Sequence, residues 1–443
     1  MILSAQRQSS RGDAPARALW LSTIAFTVCF AVWTIFSIIG IRIKEELGLN
    51  ETEFGLLLGT PILTGSVIRI VLGVWTTRFG GRLVYTLTML AAAVATFLLA
   101  YAKTYPETLI AALGVGIAGG SFAVGVTYVS SFFPPEKQGT ALGIFGAGNV
   151  GAAVTKFLAP FVLLAWGWQA VAELWAAALV VMALAFWFMA PSDLAIRQDR
   201  SRGETSRRFL DEFAALKNVQ VWRFSLYYFF TFGAFVALAL WLPRYLIGVY
   251  GFEITTAGIV AASFSIPGSI FRAYGGLLSD RIGARTVMYW TLGVSALATL
   301  ILSLPPANIL VQGISGSFAV HFEIGPMVFV GLVFVLGFFM SLGKAAVYKH
   351  IPTYYPNNVG AVGGLVGMIG GLGGFILPIA FGLLNDLTGL WQSCFMLLFL
   401  LVMASLGWMH FAIKRMERER VGAPAEIPSL SASSGEIEVG ATT

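Results

Sequence analysis

The chain has 443 residues, 57% of them hydrophobic and only 11% charged, with a formal net charge of +6. A soluble core cannot bury so much apolar surface, so a water-soluble protein is excluded and a polytopic membrane protein is left. The basic residues sort by membrane side, so the positive charge calls for no nucleic-acid partner.

Taken in order, the apolar runs predict twelve spans: 18–41, 54–77, 83–102, 107–131, 139–162, 168–190, 221–247, 255–278, 286–304, 325–350, 359–383 and 389–413. The first follows Arg7, Arg11 and Arg17, as a signal peptide's apolar run would, but it is long enough to span. The expected layout is an N-terminal segment 1–17, a six-helix half 18–190, a linker 191–220, a second six-helix half 221–413, and a tail 414–443 whose small polar end reads as disordered. The linker carries Arg197, Arg200, Arg202, Arg207 and Arg208, and the tail carries Lys414, Arg415, Arg418 and Arg420. With Arg78, Arg82, Arg281 and Arg285 they fall on one side, against a minority of Arg42, Lys44 and Lys103 on the other. The positive-inside rule makes that side the cytoplasm of a bacterial-type inner membrane and puts both termini there. Cys29 and Cys394 read as small helix residues, and no Cys/His spacing suggests zinc, so neither metal nor cofactor is expected.

The chain is a duplication. Gly65-Ser66-x-x-Arg69-x-x-x-Gly73, then Arg78-x-Gly80-x-Arg82, returns as Gly268-Ser269-x-x-Arg272-x-x-x-Gly276, then Arg281-x-Gly283-x-Arg285. The match extends back to Gly48, Thr52 and Gly55 against Gly251, Thr255 and Gly258. It resumes at a larger separation, with Phe133, Pro135, Gly139, Gly143 and Gly146 against Tyr354, Pro356, Gly360, Gly364 and Gly367. The extra residues belong in the outer loop 305–323. The expected fold is therefore an all-α membrane protein of two pseudo-symmetric six-helix halves, the organisation of the major facilitator superfamily.

Each half puts one arginine deep in a span, where burial costs at least about 2.5–3.5 kcal/mol on insertion scales. No Asp or Glu lies well inside a predicted span to pair with Arg69 or Arg272; Glu173 and Asp386 fall near helix ends. Two symmetric arginines are best explained by a shared anion between the halves. Guanidinium is planar and forked, which suits a planar oxyanion. Spans five and eleven are rich in glycine, including Gly143, Gly146, Gly151, Gly364, Gly367 and Gly371. Such spacing permits close approach and sliding of helices, or simply tight static packing.

Gly276 to Arg285, with Asp280, resembles the superfamily's signature loop; the first copy has Thr77 where the acid belongs. Gly119-Gly120-Ser121-Phe122-Ala123, the stretch from Gln138 through Asn149 to Gly151, and Gly360 through Pro378 resemble the signatures of the nitrate/nitrite porter family. With the arginines, the similarity covers essentially all twelve spans. In that family paired arginines clamp the planar anion, aromatic rings surround it, and an asparagine in span five supports it. The resemblance assigns those roles to Arg69, Arg272, Phe122 and Asn149, and Tyr228-x-x-x-Phe232-Gly233 matches the family's aromatic pair. Ser66 and Ser269 accompany the arginines in the repeat and join the candidate site. For the aromatic residues the alternative is ordinary packing.

The remaining ionisable residues in spans are Lys156, Lys344, Lys349 and His350. Lys349 and His350 precede Pro352 and can snorkel to the cytoplasmic face. Lys344 lies more than a turn deeper and is the leading proton-linked base. The run from Gly343 to Pro352, together with Asn149 to Lys156, is similar to the proton-coupled uptake branch, whereas the exchange branch usually has Asn at the position of Ser121. The expected function is nitrate/proton symport by a monomer embedded in the bilayer, with nitrate/nitrite exchange second and a non-transporting anion sensor as the alternative of another class. An enzyme would need a nucleophile–base pair or metal ligands near the midplane, and the spans offer neither.

Overall fold

The computed structural model describes residues 13–193, 216–314, 316–355 and 359–422. Arg7, Arg11, the five linker arginines and the small polar end of the tail lie outside the described residues.

The first span is α1 (Ala14–Trp33) followed by α2 (Phe36–Leu47). Next come α3 (Glu51–Phe79) and α4 (Gly81–Leu99). The fourth span is α5 (Tyr105–Val115), a 3₁₀ segment Gly116–Gly120, and α6 (Ser121–Phe132). Then follow α7 (Pro135–Gly146), a second 3₁₀ segment Ala147–Val150, and α8 (Gly151–Met189). The second repeat opens with α9 (Val219–Tyr228), a π-helical segment Phe229–Ala234, and α10 (Phe235–Tyr250). It continues with α11 (Ile254–Ile270), α12 (Arg272–Ile282) and α13 (Ala284–Leu302). After a hairpin come α14 (Pro326–Tyr354), α15 (Val359–Gly371), α16 (Gly373–Thr388) and α17 (Ser393–Gly422). Residues up to Leu406 form one compact unit; from Gly407 a second begins, whose described part is the end of α17.

Among the described residues ten helices are long and apolar enough to cross a membrane, or eleven if α11 and α12, bent by 43°, are one span. One of the ten runs for 53 residues, Lys137–Met189. At about 1.5 Å per residue it would be roughly 80 Å long, more than twice the bilayer's ~30 Å hydrocarbon core. Gly167 breaks it with φ 87° and ψ 169°, a conformation that favours glycine. The twelve spans of the sequence reading are reached only by dividing the helix at that break.

The loop 305–323, expected on the outer side, holds a feature that the all-α reading did not include. Strand β1 (Ala307–Gly313) pairs antiparallel with β2 (Gly316–Phe322), with Ala307 opposite Phe322. Its β-branched and aromatic residues flank a glycine-rich turn, a strand pattern that helical counting misses.

The repeat in sequence is a repeat in backbone. Gly48 and Gly251 end α2 and α10 with φ 65° and 64°. Gly80 and Gly283, in the two copies of the signature loop, have φ 98° and 87°. Away from these loops, α3 and α16 meet backbone to backbone. A Cβ on Gly55 would lie 2.2 Å from the Pro378 carbonyl oxygen, one on Gly59 2.6 Å from that of Phe375, and one on Gly382 2.1 Å from that of Glu51. The Asp386 carboxylate accepts from the Thr52 hydroxyl at 2.6 Å and from the amides of Thr52 and Glu51 at 2.8 and 3.2 Å, closing the N-terminus of α3. Arg244 of α10 pairs with Glu51 at 2.5 Å.

Candidate functional site

Arg69 projects from the middle of α3 and Arg272 from the first turn of α12; each is only 7% exposed. Among the described residues neither pairs with a carboxylate. Both lie against the same ring: the guanidinium carbons of Arg69 and Arg272 stand 5.3 and 5.4 Å from the Phe122 centroid. Phe122 reaches them because the 3₁₀ turn Gly116–Gly120 brings α6 close to α3; a Cβ on Gly120 would meet Leu72 and Ile68 of α3.

Arg69 is further held by Phe232 and Trp33, at 5.3 and 5.4 Å from their centroids. Its Nε and Nη1 donate to the carbonyls of Gly119 and Gly367, both at 3.4 Å, so each repeat contributes one acceptor. Arg272 faces Phe122 and, at 5.9 Å, the ring of Tyr348, while its buried Nη1 has no hydrogen-bond partner. Cation–π contacts with desolvated guanidinium groups contribute about 2 kcal/mol each, which offsets part of the burial cost but leaves positive charge uncompensated.

The π-helical segment in span seven sets the aromatic pair. Tyr228 and Phe232 stack at 5.1 Å and 12°, with Tyr348 edge-on to Tyr228 at 5.0 Å. The Tyr228 and Ser66 hydroxyls at the site are buried without partners, and so are both polar side-chain atoms of Asn149, in the 3₁₀ segment that leads into α8. Ser269, the repeat counterpart of Ser66, instead donates to the Ser265 carbonyl at 2.7 Å. A cavity of about 480 Å³ borders Arg69, Phe122 and Tyr348 and runs past Gly73 and Val74 to Thr77 and Gln138, beside the first signature loop.

The glycines divide. Gly146 packs on the Arg272 side chain, with a built Cβ 3.0 Å from its Cδ, and Gly143 faces the Ala273 backbone at 3.4 Å. Gly371 lies against Ser66, and Gly367 lies under the Tyr348 hydroxyl. Built Cβ atoms on Gly143, Gly146 and Gly371 thus meet the other half, whereas those on Gly367, Gly151 and Gly364 do not. Gly151 closes on Thr27 and Ala31 of the first span, and Gly364 meets nothing within 4 Å because it faces the cavity.

The basic candidates also separate. Lys344 is fully buried, donating to the Gly268 carbonyl at 2.7 Å with its ammonium 3.1 Å from the Phe235 centroid. Lys156 is fully buried as well and donates to Ser265 Oγ at 2.7 Å, bridging the repeats. Lys349 is not deep: its side chain is half-exposed and pairs with Asp280 of the signature loop at 2.5 Å. His350 stacks on Phe224 at 5.7 Å and 9°.

Three contributors escaped the sequence reading. Trp33 holds Arg69 while its Nε1 donates to the Pro61 carbonyl at 2.8 Å. Tyr348 sits four residues after Lys344 on the same face of α14, a spacing that could have pointed to it. Asp193 accepts the Gly81 amide at 2.9 Å, bringing a carboxylate to the first signature loop, where Thr77 replaces the acid.

Comparison with known proteins agrees with this architecture. The sequence pattern of the Major Facilitator Superfamily matches residues 21–321 and 255–433. A protein of Thermus thermophilus named a probable nitrate/nitrite antiporter, NarK1, is 45% identical over 93% of this chain and 94% of its own length. A nitrite extrusion protein of Bacillus subtilis is 30% identical over 89% of this chain and 94% of its own. The crystal structure of a bacterial homologue of the human lysosomal transporter Spinster, inward-facing and occupied, aligns with a TM-score of 0.66 at 16% identity, covering 93% of this chain and 99% of that one; it supports the fold alone. The chain belongs to the nitrate/nitrite porter family of the major facilitator superfamily.

Proposed function

We propose that this protein carries nitrate across a bacterial inner membrane by alternating access, with both termini in the cytoplasm and the two repeats rocking about a central anion site. One observation carries the reading: two buried arginines from equivalent repeat positions lie against one phenyl ring, and among the described residues no carboxylate pairs with them. Arg69 and Arg272 clamp the planar anion, Phe122, Tyr228 and Phe232 flank it, and Asn149 and Ser66 offer the unpaired polar groups a small oxyanion needs. The test is nitrate binding and tracer uptake by Arg69→Lys and Arg272→Lys. Lysine keeps the charge but loses the fork, so near-complete loss is expected, and near-normal transport by either variant removes the clamp.

Proton symport is the coupling we favour. The membrane potential opposes anion entry by about 2.3 kcal/mol per charge per 100 mV, which one co-transported proton cancels and a second overcomes. Lys344 supports this mode, being buried close to the arginine site with no carboxylate partner among the described residues. Nitrate/nitrite exchange is the second reading, favoured by the name of the Thermus relative. Tracer uptake into proteoliposomes, with the pH gradient and internal nitrite varied independently, decides between them. Symport predicts accumulation driven by the gradient alone, and its absence with internal nitrite still effective selects exchange.

A further inference from the structure

Arg272, unlike Arg69, does not sit inside a continuous helix. Helices α11 and α12 meet at a 43° bend, and Phe271 at the joint has φ −74° and ψ 3°. Pro267 lies in the last turn of α11 and brings no amide donor. The carbonyls of such a final turn lose their regular helical partners and need others. In an unbroken helix the Gly268 carbonyl would accept the amide of Arg272; here Lys344 of α14 donates to it at 2.7 Å. A cation at a helix C-terminus is also favoured by the helix dipole. The lysine has little freedom to leave, because Phe235 covers its ammonium at 3.1 Å and fills the space beside Gly268, where a Cβ would lie 2.2 Å from the ring.

The first repeat is the control. Its equivalent stretch lies within the unbroken α3, and the space beside Gly65 is filled by the Trp33 indole, 2.6 Å from a built Cβ. By the repeat register, the residue in the place of Lys344 is Ala123. The lysine thus occurs in the repeat whose arginine follows a helix break.

We infer that Lys344 is a positioning residue for Arg272: by holding the Gly268 carbonyl it fixes the bend between α11 and α12 and thereby the direction in which the guanidinium points. This rests on the reading of Arg272 as an anion ligand, and it is separate from any proton that Lys344 carries. Donation to a carbonyl needs an N–H, whereas proton coupling needs a group that can lose its charge. Arginine and glutamine supply the first without the second; methionine and alanine supply neither.

The experiment is nitrate/nitrite exchange across proteoliposomes with no pH gradient, using Lys344→Arg, Lys344→Gln, Lys344→Met and Lys344→Ala, each checked for monodispersity before reconstitution. The inference expects the KM for nitrate in the donor-retaining pair to stay about tenfold or more below that of the donor-less pair. The second member of each pair covers a variant that fails to fold. Equal KM values across all four variants, or grouping by charge with arginine alone near the wild type, overturn it. Gradient-driven accumulation, measured on the same vesicles, reads the proton role independently. If all four variants still accumulate nitrate as the wild type does, proton coupling through Lys344 fails while the positioning result stands. If no nitrate binds to the wild type, the anion reading itself fails.

Discussion

The contact between the repeats is built differently at its two ends. At the end away from the signature loops, α3 meets α16 through Gly55, Gly59 and Gly382 at separations that would place a Cβ within 2.6 Å of a carbonyl oxygen, and Asp386, Glu51 and Arg244 add charged contacts. At the signature-loop end, Gly143 faces Ala273 at ordinary contact distance, Gly364 faces the cavity, and a built Cβ on Gly73 or Gly276 meets nothing within 4 Å. Glycine abundance in spans five and eleven therefore does not identify a single kind of surface. The same residue type serves a closed seam at one end and cavity-facing space at the other. The structure is closed at the end away from the signature loops, and its cavity reaches toward those loops.

That contrast can be broken at its tightest point. Gly55→Leu places a branched side chain where Pro378 backbone now lies, so this seam cannot form. We expect transport to fall by about a hundredfold or more with insertion retained, measured by tracer uptake and membrane abundance. Normal turnover would mean that the glycine seam is not part of the cycle. Gly143→Leu meets the Ala273 backbone from 3.4 Å and should slow turnover by about tenfold, read from exchange rates at saturating nitrate. An unchanged rate would show that this contact does not close during the cycle. Asp386→Asn weakens the cap on α3 while leaving the glycine seam intact. A shift of a few-fold toward a form open at the Thr52 end is expected, read by alkylation of a cysteine introduced near Thr52. A labelling rate equal to that of the unsubstituted background would reduce the carboxylate to a bystander. Gly364→Leu has the smallest predicted effect on nitrate affinity in the cavity-open state, within about twofold, because its space is open. A large loss of binding there would place Gly364 at the anion itself.

Much of this arrangement is legible in the chain. Matched spacing around Arg69 and Arg272 located both arginines, and the paired glycines at 80 and 283 took the same positive-φ turn. The residues that complete the site were harder to read because long-range geometry places them. Trp33 reaches Arg69 where the first span changes from α1 to α2, a break with no proline or glycine to announce it. Asp193 acts on an amide 112 positions away, at Gly81. Ser66 and Ser269 look alike in sequence, yet one hydroxyl is unpaired and the other satisfies its own helix. The hairpin was hidden by hydropathy, which counts apolar length and ignores strand pairing, whereas the break at Gly167 falls in the gap between the expected spans 139–162 and 168–190.

The lack of a buried carboxylate beside Arg69, Arg272 and Lys344, among the described residues, bears on the half of the cycle in which nothing is carried. A loaded carrier closes around cations and an anion that partly cancel. An empty one must pass through the same closed arrangement with its positive charges facing only aromatic rings and backbone dipoles. In a medium of low dielectric constant that difference amounts to several kcal/mol, so resetting, rather than capture, meets the higher barrier. On the two coupling modes proposed above, turnover responds to whatever lowers the charge on the way back: a returning anion under exchange, or a proton released from the lysine under symport. A rate that rises with anion supplied on the exit side is the kinetic signature of a site that keeps no counter-charge of its own.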